Sequence, residues 1–338
     1  MPFRASRGVA VVLGMLGMIL GGILGGILAI PGARAEDAAG YPARPVRVIV
    51  PYPAGSMIDT LARLIGDRLQ ASLGQPFIVE DRPGGSTLLG AKQVSGADRD
   101  GYTLLVPTVT TLSIAPQIHP ASGVDPVKDF TLIARLGATN FFLVVRESFP
   151  ATTMREWIDE VRSKPGKYVY GSSGVGTPHH IFMELLKREL GLDLIHVPYK
   201  GGADVVPDLV AGRVDIAFMD GTLVVPQIQS GKLRALGTTL ARRTTLVDGV
   251  PPIAETVPGF DWSGWVAFAG PSGLPGPVVE RIAAEIRSLQ ATPEYAEFLR
   301  KGLMEPTPPL LPDEVRAFVR SEFERWGPII RSAGAVVQ

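Results

Sequence analysis

Hydrophobic and polar positions follow one recurring order along this chain: a short apolar run, a turn of small residues, then apolar positions three and four apart. The run 46–50 reads as a buried strand, and Pro51-Tyr52-Pro53-Ala54-Gly55-Ser56 as the turn after it. Ile58, Leu61, Ala62, Ile65 and Leu69 then mark one face of a helix. The order returns at 77–80, with Arg82-Pro83-Gly84-Gly85-Ser86 and a helix near 87–95, and a third strand is predicted at 102–106. A second series begins near 140. It predicts strands at 142–146, 168–170, 195–197, 214–218 and 233–238, helices at 154–163 and 178–190, and another helix after Tyr199-Lys200-Gly201-Gly202. A strand at 265–269 then leads to helices near 276–289, 293–301 and 312–333. Such alternation points to the α/β class, with mostly parallel sheets flanked by helices.

The chain has 338 residues, more than one core usually takes. Two lobes are therefore expected. One is 36–141 together with 266–338, and the other is 142–265, inserted between them. Two crossing strands, near 142–146 and 265–269, would form a hinge.

The first 35 residues stand apart from this order. Arg4 and Arg7 precede an uncharged apolar run at 8–30, and Ala33-Arg34-Ala35 supplies the small residues of a cleavage site. This is the pattern of a secretory signal peptide cut after Ala35. The run is also long enough to span a bilayer, so a retained anchor is the rival reading. No later stretch approaches that length, and the mature chain is expected to be soluble.

Composition narrows the function. Lys+Arg and Asp+Glu are equal at 33 each, which gives no electrostatic case for nucleic acid. There is no Cys, so disulfides, thiol nucleophiles and Cys-based metal sites are excluded. The four His, at 119, 179, 180 and 196, do not suggest a metal site, because adjacent residues of a helix such as His179 and His180 point in different directions. No cofactor motif is present: Gly174-Val175-Gly176 lacks the third glycine of a dinucleotide loop, and Val175 stands where a nucleophile elbow around Ser173 needs glycine.

Three turns at the carboxyl ends of predicted strands carry the candidate chemistry. Ligands of open α/β sheets sit at such ends, where helix N-termini favour anions. In the first, Gly55 lets backbone amides approach a ligand, while Ser56-x-x-Asp59 fits equally a helix-capping box. The second, Gly171-Ser172-Ser173-Gly174-Val175-Gly176-Thr177-Pro178, has Thr177 suited to the N-cap and more hydroxyls than a plain connection needs. The third, 106–111, offers Thr108, Thr110 and Thr111, with a bland loop as the competing reading.

These pieces, in order, carry a family resemblance. Residues 41–55 (Tyr-Pro-Ala-Arg-Pro-Val-Arg-Val-Ile-Val-Pro-Tyr-Pro-Ala-Gly), 73–85, Asp100-Gly101-Tyr102-Thr103, Tyr170-Gly171-Ser172-Ser173-Gly174 through Thr177, His196-Val197-Pro198-Tyr199-Lys200-Gly201, Gly212-Arg213-Val214-Asp215 and Gly231-Lys232-Leu233-Arg234 together resemble the Bug proteins, the periplasmic receptors of tripartite tricarboxylate transporters. The resemblance runs from about 41 to 333. It implies a periplasmic, two-lobe, type II flytrap-like binding fold with no catalytic residues. It also implies a small carboxylate, an organic acid or amino acid, held by amides and hydroxyls between the lobes. The implied contacts are Tyr52, Gly55, Ser56 and Asp59 from one lobe and Ser173, Gly174, Gly176, Thr177 and Asp220 from the other, with Thr108 added from its loop. A monomer serving membrane permease subunits is expected; presenting ligand to a sensor kinase is the alternative. The departures are Ala54-Gly55-Ser56 where many members have Pro-Gly-Gly, Thr177 where serine is usual, and His179 beside His180.

Overall fold

The computed structural model describes residues 40–334 except 245, and residue 336. The expected signal peptide lies outside the described residues. Eleven strands form two sheets among the described residues. The first sheet contains β1 (Val46–Val50), β2 (Phe77–Asp81), β3 (Thr103–Leu105), β4 (Phe130–Thr139), β10 (Gly264–Pro271) and β11 (Met304–Glu305), in the order β11-β4-β10-β3-β1-β2. The second contains β5 (Phe141–Arg146), β6 (Val169–Ser172), β7 (Ile195–Pro198), β8 (Ile216–Asp220) and β9 (Leu233–Thr238), in the order β7-β6-β8-β5-β9.

Parallel pairing is confined to β1 with β2 and β3, and to β6 with β7 and β8. The strands that lead from one sheet to the other pair antiparallel, β10 with β4 and β5 with β8 and β9, so both sheets are mixed. One residue, Asn140, separates β4 in the first sheet from β5 in the second. The chain returns between β9 and β10.

Strand β4 has no counterpart in the sequence reading. Its burial is nearly continuous, because helices and strands cover both faces, so it shows no period-two alternation. The strand expected at 214–218 lies two residues later and ends on Asp220. The turn at 106–111 continues into a single wide helical turn, Thr110–Ile114, and then α3 (Ala115–Ile118).

Helices follow their local signals. In α1 (Met57–Leu73), Ile58, Leu61, Ala62, Ile65 and Leu69 are buried, as their spacing requires. Ser56 caps it by accepting from the Asp59 amide at 3.2 Å, and Gly74 closes it in the left-handed region at φ 79°. Helix α2 is Leu88–Ser95. Helix α4 (Met154–Ser163) starts with a reciprocal Thr153–Glu156 capping box. The second sheet also carries α5 (Pro178–Leu190), α6 (Gly202–Val210) and α7 (Gly221–Gln229). The chain closes with α8 (Gly276–Gln290), α9 (Pro293–Lys301) and α10 (Pro312–Ser332).

The largest core joins the two sheets. It contains Ile49 and Leu105 of the first sheet, Phe218 and Tyr170 of the second, and Trp265 and Trp326. Trp326 of α10 lies 5.6 Å from Phe182 of α5 and 5.3 Å from Trp262 between ring centroids. Both Trp265 Nε1 and Trp326 Nε1 donate to Glu322 Oε2 at 3.3 Å, so one buried carboxylate satisfies two buried indoles. Helix α10 thereby straps the elements of one sheet to those of the other. Among the described residues, no helix is long and apolar enough to cross a membrane.

Candidate functional site

The carboxyl ends of the parallel strands of both sheets face one cavity of about 250 Å³. Tyr52 enters it just after β1, Thr108 just after β3, and Asp220 as the last residue of β8. The first turns of three helices also line it: Met57 and Ile58 of α1, Pro178 and His179 of α5, Gly221 and Thr222 of α7. Each such terminus carries roughly half a positive charge from its unpaired amides. Val109 and Thr110, the crossing segment Thr139-Asn140-Phe141 and the segment Gly302-Leu303-Met304 complete the lining. Leu303 holds φ at 55°, a left-handed backbone costing a leucine on the order of 1 kcal/mol, and such strain gathers at ligand-facing positions.

On the first-sheet side, Tyr52 and Thr108 share a hydrogen bond of 2.7 Å between their hydroxyls. The Thr108 amide donates to Thr111 Oγ1 at 3.2 Å, which fixes the threonine turn. Burial is the main cause that pushes the Tyr52 phenol above its usual range, with a smaller contribution from the charge of Asp220. Tyr52 is thus a neutral hydroxyl able to donate to an anion.

On the second-sheet side, His179 is held at both ring nitrogens. Nδ1 lies 2.5 Å from Ser173 Oγ, and Nε2 lies 2.9 Å from Asp220 Oδ2. The imidazole packs edge-on against Phe141, 5.6 Å between centroids. An ionised carboxylate only accepts, so Nε2 carries a proton and Nδ1 can accept from the Ser173 hydroxyl. Ser, His and Asp therefore form a hydrogen-bonded chain, but Ser173 does not line the cavity and its hydroxyl is turned to the ring. The chain fixes Asp220.

Several sequence candidates stand behind the cavity wall. Gly55, Ser56 and Asp59 do not line it. The Asp59 carboxylate accepts from the Gly55 amide at 2.8 Å and pairs with Arg63 Nε at 2.8 Å, so it holds the loop that presents Tyr52. Ser173, Gly174, Gly176 and Thr177 do not line it either. Amides expected to meet a ligand are taken up locally: Gly174 N donates to Ser172 Oγ at 3.2 Å and Gly176 N to His180 Nδ1 at 3.2 Å. The Thr177 hydroxyl donates to the Gly174 carbonyl at 2.7 Å. Behind this loop, His196 stacks between Tyr170 and His180, at 4.6 and 4.4 Å. Burial first, then the neighbouring His180, lowers the His196 pKa to about 4; burial also lowers that of His180.

Asn140 is the residue the sequence did not reveal. Its side chain is 1% exposed, lines the cavity, and leaves both Nδ2 and Oδ1 without a hydrogen-bond partner. Buried amides are rarely left so, since each unmet group costs about 1–3 kcal/mol.

A family model described as tripartite tricarboxylate transporter family receptor matches residues 61–335. The chain belongs to this family. It is 35% identical to a UPF0065 protein of Bordetella pertussis, over 91% of this chain and 95% of that protein. Among solved structures, Rpa4515 of R. palustris with adipate is 31% identical and superposes with a TM-score of 0.75, covering 87% of this chain and 98% of that one. The periplasmic binding protein BugD is 28% identical with a TM-score of 0.71, covering 88% and 100%. The resemblance to Bug receptors and the two-lobe binding fold are thus established, and the chain is a solute-binding receptor and not an enzyme.

Proposed function

We propose that this receptor works in the periplasm, capturing a small carboxylate in the cavity between its two sheets and delivering it to the membrane subunits of a tripartite tricarboxylate-type transporter. The observation that carries the reading is the convergence of three helix N-termini and the Tyr52–Thr108 hydroxyl pair on one cavity, with no Lys or Arg among its described lining residues. Hydroxyls and helix amides hold an anion by hydrogen bonds and by the dipole field, without an obligatory ion pair. The cavity volume suits a small organic acid or amino acid. The adipate in Rpa4515 supports the same ligand class.

Ligand touching residues that follow β1 and β3 on one side and β8 on the other favours the closed arrangement, which a membrane partner can recognise. Asn140, the single residue between β4 and β5, is the proposed pivot of closure. Tyr52, Thr108 and Asp220 are the proposed direct contacts. Gly55, Ser56, Asp59 and the 173–177 loop hold those contacts in place. Export would depend on a signal peptide cut after Ala35.

Titration calorimetry of the mature protein against organic acids and amino acids tests the reading. Binding to at least one compound is expected, and it should weaken at least tenfold in a Tyr52→Phe, Thr108→Val double variant. Binding that the double variant leaves unchanged would place the site elsewhere.

A further inference from the structure

Asp220 is the only carboxylate among the described residues lining the cavity, and no Lys or Arg lines it with Asp220. It caps α7 by position yet makes no side-chain cap bond to that helix, although aspartate is among the best capping residues. Its carboxylate is instead turned to His179, which donates to Oδ2. That is the only hydrogen bond of this carboxylate among the described residues, and it leaves Oδ1 as an acceptor. Asn140 lines the same cavity as Asp220 and directly precedes Phe141, the ladder partner of Asp220. Asn140 is 1% exposed, and its Oδ1 and Nδ2 have no partner.

A ligand with two carboxylates would bring two further negative charges into a cavity that already holds one and offers no cationic side chain. Helix termini at α1, α5 and α7 offset one anion well. A second anion beside Asp220 would meet like-charge repulsion, which the 41% exposure of the Asp220 side chain weakens but does not cancel where no cationic side chain is among the described lining residues. A protonated amine reverses the sign of that contact. Its three N–H donors match acceptor oxygens, and Asp220 Oδ1 and Asn140 Oδ1 supply two. The hydrogen bond from His179, itself fixed by Ser173 and Phe141, keeps the Asp220 carboxylate from swinging back to cap α7.

We propose that this receptor selects a ligand carrying a protonated amine as well as its carboxylate, and that Asp220 and Asn140 read the amine. The proposal rests on the reading of the cavity as a carboxylate site. It makes the ligand a zwitterion, with the carboxylate end at Tyr52, Thr108 and the helix amides. Asp220 is then the residue that sets specificity, and His179 positions it.

The experiment is calorimetric titration with matched pairs that differ in the amine: L-glutamate and glutarate, L-leucine and 4-methylpentanoate, 4-aminobutanoate and butanoate. In at least one pair the amine-bearing member should bind at least tenfold tighter. Asp220→Asn should reduce that ratio at least tenfold. Asp220→Ser, which retains an oxygen able to cap α7, should repeat the result if Asn disturbs the helix, and unchanged melting temperatures certify the fold. Plain acids that bind as tightly as their amine partners, with ratios indifferent to both variants but affinity lost in the Tyr52→Phe, Thr108→Val protein, overturn the amine selectivity and leave the carboxylate site standing. No binding by any pair member or any other carboxylate overturns both.

Discussion

Replacing Asn140 with Leu should move stability and binding in opposite directions. The wild-type side chain is buried with neither amide atom hydrogen-bonded. Leucine has nearly the same branched shape and no polar atoms, so the desolvation cost of the amide disappears. That cost is about 1–3 kcal/mol for an unmet buried polar group. Allowing for imperfect packing, the ligand-free protein should gain roughly 1 kcal/mol, or a rise of about 1.5 °C in melting temperature for a chain of this size. Ligand affinity should fall about tenfold, equivalent to about 1.4 kcal/mol, because the amide is the group the ligand satisfies. Differential scanning calorimetry with and without ligand reads both effects, and the ligand-induced shift should shrink while the baseline rises. A variant that melts lower and binds normally would mean that Asn140 has a structural partner, and the reasoning would fail.

Three further outcomes follow from the same geometry. Glu322→Leu strands the indole N–H groups of Trp265 and Trp326 and should cost about 2–4 kcal/mol in thermal or urea unfolding, with ligand affinity kept within about twofold because Glu322 is remote from the cavity; a loss below about 1 kcal/mol would refute the double acceptor. The folded-state pKa of His196 is about 4, below the usual histidine value near 6.5, so the folded protein binds fewer protons than the unfolded chain between those values. Its stabilisation is complete above about pH 6.5 and is lost as the pH falls toward 4, by about 1–2 kcal/mol once partial exposure is allowed for; His196→Phe should flatten that slope in melting curves, and an unaltered slope would assign the acid sensitivity elsewhere. Gly174→Ala forces a side chain onto a residue at φ 122°, with its Cβ 3.4 Å from the Tyr199 carbonyl, and should cost about 1–3 kcal/mol in stability while weakening ligand binding several-fold through Ser173 and His179; calorimetry on the variant measures both, and normal stability would show that the loop tolerates another path.

Local signals made much of the fold readable. The face of α1, the capping box of α4 and the ends of α5 are set by residues within a few positions of each other, so spacing alone locates them. Strand β4 depends on being covered from both sides, and α7 has Pro226 inside it, so neither has a clean local period. The candidate site divides in the same way. Tyr52, Thr108 and Asp220 follow or end strands in the order that marks ligand-facing turns, and all three line the cavity. The glycine–serine turn at 171–177 has the composition of an anion loop, but Ser172 and His180, two and four residues from the amides they accept from, use those amides, and composition alone does not show these local bonds. Asn140 carries no local pattern at all. A lone Asn between two apolar runs becomes significant only when the two sheets place it, unpartnered, at the cavity wall. His179 had one usable cue, its place in the first turn after a glycine loop and Pro178.

The most direct test of the central claim is native mass spectrometry of the mature protein purified from a periplasmic extract without refolding. The account predicts a one-to-one adduct of a small carboxylate-containing molecule, lost from the Tyr52→Phe, Thr108→Val variant. Full adduct occupancy in that variant, or a protein that carries no carboxylate adduct and acquires none from a broad panel of organic acids and amino acids, would contradict it.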